Sequence, residues 1–534
     1  MCCGFLSLSL EQFIAIQNRL LLEQIRLLNH CTLGKKIMQG AKPQTVEEFR
    51  ELVPLTTYAD YCPELIEKRE APLPAEPAMW VHTSGRSGEY PCKWVPLTRA
   101  FVQELSTIGY GVGILSSCKD WGDTSQLNGY PKIVYTVAPR PYMSGALASM
   151  LEMQTPADYL PPLDEAESLP FEERIKLGFE QALSHGLDYF FGLSMVLVVV
   201  GNKFSQRSSK MDIRPLLRQP RAMLRLLKGL AKSKIARRPL LPRDLWSIKG
   251  IMSGGLDSWV YREKIKELWG RYPLDTYAGT EGGIIATQTW DYEGMTFTPS
   301  LNFLEFIPEK EHFKWRLDPG YRPKTVLLDE VKPGENYEIA ITNFHGGALM
   351  RYRPGDMVRI TSLRNEKLGI DIPQMVFERR ADDLLDFVFI RLTEKTIWQA
   401  IENTGIPYED WTARKKQGEP VLSLCLELKD GYQGNKEGVA AAVREQIIKS
   451  DSNNRDTESL IRDEFAKMIN FKVEVNLLPQ GAFANFTAQR RAEGADLAHL
   501  KPAHINPTEK VLSLLLAKPE AVKAGAEPEK VTVR

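Results

Sequence analysis

From Pro72 onward the chain is written in short apolar runs broken by Gly and Pro, around Met79–His82, Trp94–Leu97, Ile133–Ala138 and Met195–Val200. Such strand-like runs alternate with segments of helical spacing, a pattern that points to an α/β fold with substantial sheet. The first pair of runs encloses Thr83-Ser84-Gly85-Arg86-Ser87-Gly88, and the second run leaves at Lys93. Small residues let backbone approach an anion closely. N–H groups, hydroxyls and a cation can then share the charge of phosphate oxygens. No Gly-Lys-Ser/Thr follows at Walker spacing. A flexible surface hairpin has the same composition, so this segment alone leaves both readings open.

With 534 residues the chain exceeds one compact core. Ahead of the sheet-rich part, Leu10–Leu28 and Thr45–Leu52 carry apolar residues at helical spacing. A compositional seam follows Ile372-Pro373, before Glu378-Arg379-Arg380-Ala381-Asp382-Asp383. Beyond it a strand at Val421–Leu428, helices near Glu437–Ser450 and Glu458–Asn470, and a strand near Phe471–Leu477 suggest a small α+β domain. The expected division is a large domain over residues 1–378, a small mobile domain over 379–516, and a disordered tail over 517–534 rich in Ala, Glu, Lys and Pro.

Charge and cysteine usage narrow the classes. Lys plus Arg and Asp plus Glu both number 68, which gives no reason to expect nucleic acid as a partner. The longest apolar run, Phe190–Val200, is about half of a spanning helix, so no transmembrane segment is expected. The start of the chain has no basic n-region and meets Glu11 early, unlike a secretory signal. Seven cysteines, an odd number, suit a reducing, cytoplasmic compartment better than a disulfide framework. One segment is lopsided: Lys203–Lys249 holds fourteen Lys or Arg against Asp212 and Asp244, with leucines near helical spacing. A basic amphipathic helix of this kind suits either a solvated face or an anionic surface.

Three further segments carry candidate chemistry. In Leu274–Thr287, a strand-like start leads to Tyr277, Gly279, Thr280, Glu281 and Gly282. An aromatic ring can cover an adenine face, Thr can bind phosphate, and a carboxylate can hold Mg²⁺ bridging phosphates. A glycine-rich turn before a buried run reads the same way. In Met350–Val358, the Pro354-Gly355 turn presents Asp356, whose carboxylate can accept two ribose hydroxyls. The charged Arg379–Asp383 stretch comes next. Other catalytic patterns fail: Gly109-Tyr110-Gly111-Val112-Gly113 lacks the full dinucleotide fingerprint, and His345-Gly346-Gly347 has no Gly-x-Ser-x-Gly elbow to serve. His499 and His504 lack a metal-ligand set.

In order and spacing these segments resemble the adenylate-forming superfamily. The finer sequence is similar to its Gretchen Hagen type branch, the auxin-responsive acyl acid-amido synthetases and their bacterial relatives. That likeness rests on Trp94-Val95-Pro96-Leu97-Thr98, Phe303-Leu304-Glu305-Phe306-Ile307-Pro308, Tyr352-Arg353-Pro354-Gly355-Asp356, and Leu478-Pro479-Gln480-Gly481 leading to Arg490-Arg491-Ala492-Glu493-Gly494 and Lys501-Pro502.

The resemblance implies a large adenylate-forming domain of mixed sheets and helices, plus the small C-terminal domain. It implies an ATP- and Mg²⁺-dependent ligase that activates a carboxylic acid as acyl-AMP and transfers it to an amine, an amino acid. Thr83, Ser84, Gly85, Ser87 and Gly88 would hold ATP phosphates, and Gly254 and Gly255 would lie near adenine. Tyr277, Gly279, Thr280 and Glu281 would contact adenine and α-phosphate, with Glu281 near Mg²⁺. Asp356 would bind ribose, Arg380 would reach ribose or phosphate, and Asp382 would be the hinge. Lys501 would be the late lysine that supports adenylation.

Two residues depart from the family pattern. Arg86 stands where relatives carry a small hydroxyl residue, and Arg391 stands where plant relatives carry Lys, a cation of different geometry. The alternatives are a CoA ligase using the same adenylation step and a non-catalytic relative that binds a ligand or membrane.

Overall fold

The computed structural model describes residues 2–83, 92–126, 129–207, 219–254, 258–318, 320–381, 385–387, 390–432, 434–450, 466–492, 502 and 504–517. The chain forms two compact units. The first holds Met1–Asp382, Asp386–Arg391 and Leu460–Ile469; the second holds Asp383–Leu385, Leu392–Ser459 and Asn470–Arg534. The architecture is mixed α/β, as the alternating patterns predict.

In the first unit, β1 (Pro77–His82) and β2 (Trp94–Thr98) pair antiparallel. An eleven-stranded sheet follows from β3 (Lys132–Tyr135), β4 (Asp158–Leu160), β5 (Tyr189–Leu193), β6 (Gly250–Gly254), β7 (Leu274–Gly279), β8 (Gly283–Thr287), β9 (Met295–Phe297), β10 (Asn302–Pro308), β11 (Asn336–Asn343), β12 (Asp356–Ser362) and β13 (Gln374–Arg380). Its strand order is β10-β11-β12-β13-β9-β8-β7-β6-β5-β3-β4. The segment from β7 to β4 is parallel, and the segment from β7 to β10 is antiparallel. Parallel neighbours require long crossovers, which the helices Met143–Gln154, Phe171–His185, Ser194–Arg207 and Ser258–Trp269 supply.

The N-terminal helix Leu10–His30 begins with a capping box of Ser9 and Gln12. It buries Phe13, Leu20, Leu21, Ile25 and Leu28. Two buried glutamines on it act as clamps. Gln17 donates to the carbonyls of Pro299 and Asn302 and accepts the Leu304 N–H. Gln24 donates to Gly347 O and accepts the Gly346 N–H, which ties the helix to the His345–Gly347 turn.

The apolar run at Met195–Val200 departs from expectation. It lies in the helix Ser194–Arg207 rather than in a strand. Val196, Leu197 and Val200 are buried at helical spacing, and Gly201 allows close approach to Leu268 of the helix Ser258–Trp269. Tertiary packing overrides the β-propensity of the valines.

In the second unit, the strands Tyr408–Lys415, Val421–Leu428 and Lys472–Leu477 form a three-stranded sheet, antiparallel and then parallel. The helix Lys436–Ser450 makes the parallel crossover possible, and the helices Glu394–Asn403, Ala482–Ala492 and Glu509–Leu516 complete the unit. The expected helix near Glu458–Asn470 falls largely outside the described residues, as does the tail beyond Ala517.

Candidate active site

Two hydrogen-bonded clusters form near the end of β7, and both lie in the first unit. The first joins Tyr277, Asp356 and Arg380. Asp356 opens β12, Arg380 closes β13, and the two residues face each other in the antiparallel register. The Arg380 guanidinium donates to Asp356 Oδ1 at 2.6 Å and to Pro354 O at 3.1 Å. The Tyr277 hydroxyl donates to Asp356 Oδ2 at 2.8 Å. Burial pushes the Tyr277 phenol well above its ordinary pKa, and the Asp356 charge adds to the shift. Both Asp356 oxygens thus accept a protein donor, and a carboxylate oxygen can accept more than one.

The second cluster joins Lys93, Glu281 and Tyr352. Glu281 sits in the tight turn between β7 and β8, where Gly283 takes φ +64°, a conformation disfavoured for residues with a Cβ. The Lys93 ammonium donates to the Tyr352 hydroxyl at 3.1 Å and lies 3.7 Å from Glu281 Oε1. That hydroxyl in turn donates to Glu281 Oε1 at 3.1 Å. Tyr352 is fully buried, and burial first, the Glu281 carboxylate second, raise its pKa far above the ordinary value. Asn343 Nδ2 fixes the turn by donating to Glu281 O at 2.9 Å and to Asn302 Oδ1 at 2.9 Å.

The backbone between the clusters is strongly braced. Arg351 adopts φ +45°, a left-handed conformation unfavourable for a non-glycine residue. Its guanidinium holds both oxygens of buried Glu305 and the carbonyl of Val53. Arg353 grips both oxygens of Glu338, and His312 shares Glu338 Oε2 at 2.7 Å. These pairs fix the Pro354-Gly355 turn that presents Asp356.

Thr83 and Lys93 close the mouth of the first candidate loop. The Thr83 N–H donates to Lys93 O and the Lys93 N–H to Thr83 Oγ1, both at 3.1 Å. Beside them His82 packs against Trp94 and Tyr142, with ring centroids 4.7 and 4.4 Å apart, and burial lowers its pKa. Ser84, Gly85, Ser87, Gly88, Gly255, Asp382 and Lys501 lie outside the described residues. Gly254 ends β6, Gly279 ends β7, and Thr280 lies in the turn before Glu281. Arg391 opens the two-residue strand Arg391–Leu392.

The structure thus brings Tyr277, Asp356 and Arg380 into direct contact and places Glu281 against two residues to which the sequence assigned no role, Lys93 and Tyr352. Both stand inside quoted motifs, one at the exit of the loop and one in Tyr352-Arg353-Pro354-Gly355-Asp356. Among the described residues no group of three His, Cys, Asp or Glu side chains is placed to hold a metal ion. A single carboxylate at Glu281 suits Mg²⁺, which takes most of its ligands from water and substrate phosphates.

Residues 3–125 match the GH3 family N-terminal domain and residues 295–380 the GH3 family central domain. A jasmonoyl–L-amino acid synthetase of Nicotiana attenuata is 37% identical over 29% of this chain and 26% of its own length. A 4-substituted benzoates-glutamate ligase of Arabidopsis thaliana is 27% identical over 41% of this chain and 38% of its own. These matches span well under half of the relatives' length.

Among solved structures, an acyl acid amido synthetase in complex with 2,4-DB has a TM-score of 0.52 at 16% identity, covering 94% of this chain and 93% of that one. A 2-hydroxyisobutyryl-CoA ligase in complex with 2-HIB-AMP and CoA has a TM-score of 0.53 at 15% identity, covering 88% and 87%. At such identity the likeness is one of fold. The chain is thus similar to the GH3 family in its N-terminal and central segments, and to GH3 acyl acid amido synthetases in fold.

Proposed function

We propose that the chain is an ATP-dependent ligase that activates a carboxylic acid as its acyl-adenylate and passes the acyl group to an amino acid, releasing AMP and pyrophosphate. The observation that supports this most is the convergence of Tyr277, Glu281, Asp356 and Arg380 on two bonded clusters in a chain similar to GH3 domains. Asp356 would accept ribose hydroxyls through its carboxylate oxygens, held in place by Tyr277 and Arg380. Arg380 would face the charge that develops at the α-phosphate, and Tyr277 would offer its ring to adenine. The loop from Thr83 to Gly88 would cradle the phosphates, with Lys93 at its exit adding a cation. Glu281 would hold Mg²⁺, which neutralises phosphate charge when bound. The reading includes a cytoplasmic location, which the seven free thiols support; no described helix is long and apolar enough to cross a membrane.

The test is hydroxylamine trapping of the activated acid with pyrophosphate release, using pooled aromatic and aliphatic acids. Trapping should require ATP, and Asp356→Ala should raise the ATP requirement by about thirtyfold, the loss of a charged hydrogen-bonding partner. Product mass spectrometry with amino acids and with CoA then identifies the acceptor. No pyrophosphate release with any acid would sink the reading, and thioester products without amides would move it to the CoA ligases.

A further inference from the structure

The helix Pro220–Ile235 packs on the first unit through Ala222, Leu226, Gly229 and Ser233, all buried. Gly229 allows contact with Leu245, and Arg225 donates to Ala182 O at 3.2 Å. Its opposite side is apolar as well. Leu224, Leu227 and Ile235 are 55%, 56% and 83% exposed, and they share one stripe of the helix with exposed Ala231. Arg221, Lys228, Lys232 and Lys234 are exposed along its borders, and the helix contains no acidic residue. Single exposed leucines are ordinary, but aligned aliphatic side chains bordered only by cations form the pattern of a helix lying in a membrane interface.

The chemistry separates the partners. Nucleic acid would use the cations but has no place for an aliphatic stripe, and the helix carries no aromatic residue to stack on bases. An anionic lipid surface uses both features: acyl chains take the leucines, and headgroups take the lysines, whose stems cover the apolar border. We propose that this helix docks the protein on an anionic lipid surface, with Leu224, Leu227 and Ile235 entering the headgroup boundary. The proposal stands independently of the catalytic reading.

Flotation of the full chain with vesicles tests it. Binding is expected to equimolar phosphatidylcholine and phosphatidylserine, not to phosphatidylcholine alone, and to weaken as salt rises. Lys228→Glu with Lys232→Glu should lower partitioning by at least about twentyfold, since each cation near the surface contributes about fivefold. Leu224→Ser with Leu227→Ser should lower it about tenfold. Both pairs are exposed, so thermal melts should match the parent, and Leu363→Ser, an exposed leucine elsewhere, should leave partitioning unchanged. Equal binding to both vesicles, or unchanged partitioning in either double variant with its fold intact, would overturn the proposal. So would capture of duplex DNA, or self-association through the leucines, without vesicle binding.

Discussion

Lys93, Glu281 and Tyr352 form a compact charge network in which a lysine, a carboxylate and a phenol satisfy one another out of bulk water. Removing one member leaves the others exposed to the full cost of partial burial. On the proposed reading, Lys93→Met should reduce acid-dependent ATP–pyrophosphate exchange by about a hundredfold, from the loss of the cation assigned to the phosphates. Glu281→Gln, nearly isosteric, should shift the Mg²⁺ titration while the melt stays near the parent. Tyr352→Phe should have the smaller effect, because Lys93 and Glu281 still face each other. Exchange within about threefold of the parent in Lys93→Met would remove this network from the reaction. Single residues were unequally legible in the sequence. Asp356 and Arg380 each stand in a local pattern, a turn and a charge cluster, that marks them before any fold is known. Lys93 and Tyr352 meet only because β1 and β2 are brought against the strand ends of the large sheet. No local pattern carries information about that closure.

Elements position these residues through close backbone approach and buried polar clamps. Asn343 holds the Glu281 turn, and a Cβ on Gly347 would lie 2.4 Å from Asn343 Cβ. Gly347→Ala should force the Asn343 end of β11 to shift, destabilising by about 1–3 kcal/mol and weakening exchange more than a remote destabilising change does. Thermal melts paired with exchange rates check this, and a melt equal to the parent would show that the turn yields without strain.

In the second unit, His504 bridges two elements. Nδ1 lies 2.5 Å from Glu394 Oε1 at the start of the helix Glu394–Asn403, and Nε2 lies 2.8 Å from Asp410 Oδ1 on the strand Tyr408–Lys415. The ring stacks on Trp411 at 4.6 Å, and Trp398 meets it edge-on. Glu402, Glu409 and Lys429 line the same cleft. The bond to Asp410 raises the His504 pKa more than burial lowers it, with Glu394 adding to the rise. A raised folded pKa means stabilisation that is complete below the unfolded value near about 6.5 and lost as pH rises through the folded value. The melting difference between parent and His504→Gln should be largest in mild acid and shrink above neutrality, and a pH-independent difference would refute the imidazolium bridge. The strand Val421–Leu428 and the N-terminal helix were legible from periodicity alone. The helix Ser194–Arg207 was not, because valines favour a strand until Leu268 and its neighbours supply a helical groove.

At the scale of the whole molecule, the first unit runs from Met1 to Asp382 and also takes in Asp386–Arg391 and Leu460–Ile469. The proposed adenylation and acyl transfer would make different demands on one active site, which reorientation about a hinge could meet. If Asp382 is the pivot, the sequence of steps should depend on its backbone torsions. Asp382→Pro fixes φ, removes an N–H and biases Ala381 toward extended backbone. Ala381 is itself buried and donates to Gly355 O at 2.8 Å, which anchors the first unit's side of the joint. The substitution should therefore slow one half-reaction by about tenfold or more relative to the other. Pyrophosphate exchange follows the first step, and addition of an amino acid to preformed acyl-adenylate follows the second. Asp382→Ala removes the carboxylate but leaves φ free, so it separates a torsional role from an electrostatic one. A torsional hinge predicts a skewed ratio in Asp382→Pro and a near-parental ratio in Asp382→Ala, both at matched melting temperature. Equal slowing of the two steps in Asp382→Pro, with the fold intact, would place the pivot elsewhere.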